Sequence, residues 1–462
     1  MRILGWVTLA LVAVLLGVVA CLAMLPPYNG LSAGLQFQPL LVLAPLRTYL
    51  FRNAVINTGW LVAGVAPLAL LLGWGWARLG INASTRSLLL VPLLFPSALV
   101  GLLWQPLFAG WLDLAQAALS LAIIGLVILW RIVPLSAWLM AQERPAWRTV
   151  LALSALLILL DGAFVLTSTG GEPYNTTHTW ASWVVQQLWV NRAWGYAASM
   201  AGGLALVVAL VMWSVQSQSE SLQSESLQSD LSYVASSQTR FGLILALGWV
   251  LGPFFMHLAA FHDASIQAIS ILIALGAIGW LLNGALLWVG ATLSAVILVP
   301  SLAASLASPW ASRWVRVITL ALLPISTVAL AYLVDQWPIL GNRWILMGFI
   351  GLFTTGLLAG DAAVRLQPRQ HWFKVAGWAL LVMAHSFPLQ LVLQLPSSAW
   401  TPALGMVWTL GDAPHLSAAQ GLALLLCGLV VWIGGWIAMG APETLRSKMP
   451  SAEAEGELSA AG

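Results

Sequence analysis

The sequence predicts an all-α, polytopic membrane protein of about twelve transmembrane helices, arranged as two parallel six-helix repeats. Three observations predict it. Of 462 residues, 60% are hydrophobic and only 7% are charged, against about 25% charged in ordinary soluble domains, and the mean hydropathy is +0.91. Apolar runs of the ~20 residues needed to cross a bilayer recur along the whole chain. The two halves also align at an offset near 226 residues, with Asn57 on Asn283, Arg86 beside Arg313, Pro96 beside Pro324 and Arg148 on Lys374.

The first half, residues 1–215, offers apolar segments at 3–25, 54–77, 88–110, 115–140, 148–168 and 194–215. The segment at 3–25 reads as a retained helix, because it runs on to Pro26 and Pro27 without a small-residue cleavage site. Pro92, Pro96 and Pro134 fall within spans and predict bends, which membranes tolerate where a helix curves around a cavity. Residues 216–240 read as a flexible cytoplasmic linker, since Ser and Gln dominate there and the pentad SESLQ occurs at 219–223 and again at 224–228. The second half, 241–448, offers spans at 241–260, 281–307, 314–334, 340–360, 373–395 and 418–440, with a further apolar piece at 265–280 read as interfacial or re-entrant. Residues 449–462, with Glu453, Glu455 and Glu457, read as a disordered tail. An even number of spans in each half inserts both in the same sense, so that they pair about an axis along the membrane normal with a pathway between them.

Orientation follows from the basic residues. With the N-terminus cytoplasmic, thirteen of the 18 lysines and arginines lie inside, Arg47, Arg52, Arg192 and Arg343 lie outside, and Arg131 falls within a span. The positive-inside bias therefore places both termini in the cytoplasm.

Other classes are excluded. The net charge of +3 is scattered and leaves no nucleic-acid footprint. No GxxxxGK[ST] phosphate loop occurs, so work driven by ATP needs a partner subunit. The six histidines form no HExxH, and Cys21 and Cys427 stand far apart, so neither a metal nor another cofactor nor a catalytic residue is predicted. Intramembrane acids are too few for the carboxylate relay of a proton-driven pump, which weakens a secondary-transporter reading without eliminating it.

One stretch speaks of a family. Phe164-Val165-Leu166-Thr167, then Gly170-Gly171-Glu172-Pro173 and Thr176-Thr177, then Trp194-Gly195-Tyr196-Ala197-Ala198 resembles the FxLTxGGP…T…GYAAA pattern of carbohydrate-type ABC transporter permeases. Asn57-Thr58, Pro96 with Val100 to Trp104, and Trp130-Arg131 with Pro134 add to it. The resemblance covers about 50–215 and is fainter in the second half, as for two such permeases fused through the linker. It implies a bacterial plasma-membrane importer component for sugar or sugar-like solutes, working with an ATP-binding subunit and an extracytoplasmic solute-binding protein. By the same resemblance, Gly170, Gly171, Pro173, Thr176 and Thr177 form an outer rim where the binding protein docks. The cytoplasmic faces that meet the ATPase carry Glu143, Arg144, Arg148, Arg365, Arg369 and Lys374. The sequence departs from the family in one place. Its Glu-Ala-Ala-x-x-x-Gly coupling loop is reduced to Gln142–Pro145 in the first half and to Asp361–Gln370 in the second. Either coupling uses other surfaces, or the chain is a non-transporting homologue serving as a membrane scaffold; a polytopic sugar transferase is a third reading, against which Glu172, Asp263 and Asp412 stand isolated.

The candidate pathway residues are Asp161, Phe164, Trp104, Arg131, His385 and Ser386. Asp161 lies one turn before Phe164 in the fifth span, and its mate near residue 387 is flanked by His385 and Ser386. Arg131 either snorkels or faces the bundle interior, and Asp161 either lines the pathway or pairs with Arg131 to hold neighbouring helices together. Trp104 is the one tryptophan that the resemblance brings near a pathway; most of the 27 read as interfacial anchors.

Overall fold

The structure is a computed structural model, and it describes residues 17, 39–78, 91–95, 97–109, 117–141, 147–172, 175–219, 244, 270–271, 273–305, 309–336, 342–358, 368–393, 400–402 and 404–405. All described elements are helical, with no strand among the described residues. Apart from residues 17 and 244, the predicted spans at 3–25, 241–260 and 418–440, the linker beyond residue 219 and the tail lie outside them.

A 3-10 helix, Pro39–Arg47, leads into α1 (Tyr49–Ala77). Then come α2 (Val91–Leu94), α3 (Ser97–Ala109), α4 (Ala117–Met140), α5 (Trp147–Leu160), α6 (Gly162–Ser168), α7 (Trp180–Trp189) and α8 (Trp194–Ser219). The second half adds α9 (Ala277–Ser305), α10 (Pro309–Gln336), α11 (Asn342–Leu358), α12 (Pro368–His385) and α13 (Phe387–Val392). Five described stretches are long and apolar enough to cross a membrane, namely Tyr49–Ala77, Leu119–Met140, Trp194–Ser214, Ala277–Ile297 and Val317–Asp335. A sixth is the pair α5 and α6 if taken as one span bent by 45°.

Three predicted spans are interrupted. The segment 88–110 is divided between α2 and α3, 148–168 breaks at Asp161, and 373–395 breaks at Ser386. At Asp161 the cause is a cap, because the carboxylate accepts from the Phe164 N–H at 3.3 Å and starts a new helix within the apolar run. At Ser386 the cause is Pro388, which lacks a backbone donor. Pro388 therefore cannot donate to the Ala384 carbonyl, and beside the break the Met383 carbonyl accepts from the Ser386 N–H, the Ser386 hydroxyl and the Gln390 amide. Two further boundaries differ. Gln216–Ser219, expected in the linker, continue α8, and the piece at 265–280 contains a helical turn closed by Gly276 at φ 95° before α9 begins.

Helices in corresponding positions pack alike. α1 packs on α4 and α5, and α9 packs on α11 and α12. Gly125 of α4 sits against Leu61 and Val65 of α1, and Gly351, 226 positions later, sits against Ala291 and Ser294 of α9. α1 buries Leu61, Val65 and Ala69 at helical spacing, while Ile56, Trp60 and Leu71 stand exposed on its other side. An apolar helix with an apolar exposed face fits lipid as its solvent. One apolar cluster spans both halves, joining Val184 and Leu188 of α7 and Ala201 of α8 to Ile325, Phe349 and Phe387.

Candidate functional site

The breaks position the site. Arg131, on α4, is 4% exposed and reaches two interrupted spans at once. Its Nη1 donates to Asp161 Oδ2 and to Ser97 Oγ, each at 2.8 Å, and its Nη2 donates to the Phe95 carbonyl at 2.8 Å. One guanidinium thus fills an acceptor freed between α2 and α3 and pairs the carboxylate that interrupts α5 and α6. Arg131 does not snorkel. Its Nε is buried with no hydrogen-bond partner among the described residues.

This ion pair lines a cavity of about 220 Å³, whose wall also includes Ser97 and Ile132 from the first half and Leu323, Phe387 and Pro388 from the second. A smaller cavity of about 70 Å³ adjoins it through Leu160, Leu323 and Pro388. Ala181, Val184 and Val185 of α7 line that one together with Thr327 and Ser386. Asp161, Arg131 and Ser386 are therefore brought to one region between the halves. Trp104 and Phe164 are not among the residues lining either cavity; both are buried in the core of the first half, packed with α1 and α4. His385 is the last residue of α12.

The predicted outer rim is folded inward. Thr177 is fully buried, bonded to Thr169 at 2.9 Å and donating to the Glu172 carbonyl at 2.8 Å. Gly171 is also buried, whereas Gly170 and Glu172 are exposed and Thr176 is half-buried. Pro173 lies outside the described residues. The loop's organiser is His178, fully buried, within hydrogen-bond distance of Ser182 at 3.1 Å and Asn175 at 3.3 Å and edge-on to Trp183. Burial lowers its pKa to about 4, so the ring is neutral at physiological pH. Gly171 has φ 91°, and a Cβ there would fall 2.0 Å from His178 Nε2, so only glycine fits. Asn57 closes the loop from α1, donating to the Thr176 carbonyl at 2.6 Å and the His178 carbonyl at 3.0 Å. Its mate Asn283 donates to the Trp400 carbonyl at 3.1 Å.

Sequence reasoning noted Asn57 and Asn283 as a matched pair and Thr58 beside Asn57, but missed Ser97, an ordinary polar residue until Arg131 reaches it, and His178 and Ser182, ordinary until the loop folds over α1. Of the residues expected to face an ATPase, Arg148 is exposed in the first turn of α5, while Arg369 and Lys374 fall in the first turns of α12. Glu143, Arg144 and Arg365 lie outside the described residues. No known protein family, curated protein or solved structure matches the chain.

Proposed function

We propose that this chain is the transmembrane permease component of an ABC importer for sugar or sugar-like solutes, built as two six-helix repeats whose pathway runs between them. The observation that carries the reading is the cavity of about 220 Å³ between the halves, with the Arg131–Asp161 pair in its wall and the Arg131 Nε unfilled. A buried, net-neutral pair suits a neutral solute rich in hydroxyls: such groups accept from the guanidinium and donate to the carboxylate without bringing an unpaired charge into the membrane. Interrupted helices at the interface of repeats are where transporters place their solutes. The matched glycines and asparagines of α1 with α4 and α9 with α11 support the repeat.

In this reading both termini face the cytoplasm of a bacterium, the ATP-binding subunit meets the cytoplasmic ends, and the solute-binding protein meets the 169–193 face. A second reading is favoured by one observation. α4 ends at Met140 and α5 begins at Trp147, while α11 ends at Leu358 and α12 already begins at Pro368, so neither connection has room for the family's coupling helices. A membrane scaffold without transport would need none. Co-expression with a cognate ATP-binding subunit decides between them. A stoichiometric complex at moderate salt, with ATP hydrolysis stimulated by solute and its binding protein, is expected of the importer. Association gained only after a coupling loop is grafted between Met140 and Trp147 overturns it in favour of the scaffold.

A further inference from the structure

The short helix α7 is held very differently at its two ends. Its start belongs to the first half: the Trp180 N–H donates to Thr58 Oγ1 at 2.8 Å, the Trp180 indole donates to the Met200 carbonyl at 2.9 Å, and Thr179 and Ser182 close a reciprocal capping box. These bonds are buried or half-buried, where breaking one strands a polar group in a low-dielectric setting. Beyond its other end, in the turn that leads into α8, the Ala193 N–H donates back to the Gln187 carbonyl at 3.0 Å, and the neighbouring side chains reach across to the second half. Arg192 makes an ion pair with Asp335 near the end of α10, and Trp194 stands edge-on to Tyr332 with ring centroids 5.6 Å apart. Both ion-pair side chains are substantially exposed, at 44% and 34%. Between the two ends, Ala181, Val184 and Val185 lie over the smaller cavity, which adjoins the one that holds Arg131 and Asp161.

We propose that α7 is a hinged cover that closes the cavity toward the 169–193 face, moving with the first half and latched to the second by the Arg192–Asp335 pair. The asymmetry sets the direction of opening. Buried hydrogen bonds hold one end, while the other is held across the interface by apolar contacts and an exposed, salt-screened ion pair, so the second attachment yields first. Arg192 sits at φ 50°, a left-handed conformation that aims its side chain at Asp335 from a tight turn after α7 and that asparagine or aspartate adopts readily. The proposal rests on the permease reading only for the purpose of opening; the cover itself is a statement about access.

The test is labelling of the full chain in intact cells, in a Cys21→Ser/Cys427→Ser background, with Ala163→Cys reporting from the larger cavity's wall. A membrane-impermeant maleimide is added from the 169–193 face. Arg192→Asn, which removes the charge but keeps the turn, should raise the labelling rate about two- to five-fold, as expected for loss of one exposed pair. The swapped pair Arg192→Asp/Asp335→Arg should return the rate to that of the parent. Added salt should speed labelling of the parent and leave Arg192→Asn unchanged. A rate that does not respond to Arg192→Asn overturns the latch and leaves the permease reading standing. A cysteine at Ala163 that is never labelled from either face, in any variant, overturns both.

Discussion

The Arg131 guanidinium makes a choice that charge in a membrane rarely permits. With side-chain exposures of 5% and 9%, the Arg131–Asp161 pair is largely withdrawn from bulk water, and such a pair is held by geometry rather than by a net gain in stability. Two outcomes follow. Asp161→Leu leaves an uncompensated buried cation, which should cost about 3–5 kcal/mol and lower the thermal midpoint of the detergent-solubilised protein markedly. Arg131→Met/Asp161→Leu should recover most of that stability while abolishing solute handling, and a midpoint as low as that of the single variant would show that the pair is chiefly structural glue. His178 makes a separate, pH-dependent prediction. Its folded pKa of about 4 lies below the ordinary value of 6.5, so its contribution is fully present above pH 6.5 and is lost as pH falls from 6.5 toward 4. Between pH 7 and pH 5 the loss should be about 2 kcal/mol, read as a drop in thermal midpoint that His178→Gln removes.

Among the elements, small residues decide how closely helices cross. A Cβ on Gly351 would sit 2.6 Å from Ser294 Cβ and 3.0 Å from the Ala291 carbonyl, so α11 lies almost backbone to backbone on α9. Gly351→Val should therefore destabilise by about 1–3 kcal/mol through overpacking. Gly348→Ala, on the same helix but with nothing within 4 Å, should be neutral or stabilising by less than about 1 kcal/mol. Equal losses from both in thermal unfolding would mean that the close approach of α11 to α9 does not set the cost. Two of the three broken spans carry a related lesson. Asp161 breaks one helix by capping and Ser386 with Pro388 breaks the other by withholding a donor, yet both breaks reach the same region between the halves.

For the whole molecule, the informative contact is the one between Arg192 and Asp335. It requires the loop after α7 and the end of α10 to emerge on one face, as the predicted topology has them. The face itself is a prediction from the basic residues. In intact cells an impermeant maleimide should modify Thr176→Cys, and Ser224→Cys only after the membrane is opened. The opposite pattern would invert the orientation.

What the sequence determined by itself is what hydropathy and punctuation determine. Apolar length makes membrane-crossing helices wherever it occurs, because a backbone in hydrocarbon must bond to itself, and α1, α4, α8, α9 and α10 were legible for that reason. Apolar length gave 373–395 as one span, and the break at Ser386 before Pro388 came only from the structure. Only the tertiary structure decided where the polar groups go. In the sequence Asp161 reads either as lining the pathway or as the partner of Arg131, and only the approach of α4 and of the α2–α3 break decided that it pairs, while it also caps α6 and stands in the cavity wall. The loop after α6 reads as a polar surface turn, yet Thr177 and His178 are buried, because Asn57 on α1 binds the carbonyls of Thr176 and His178 and draws the loop inward. Composition fixes the solvent a segment prefers; which donor meets which acceptor depends on neighbours 30 residues away for Arg131 and Asp161 and 119 away for Asn57 and Thr176, and no local pattern encodes them.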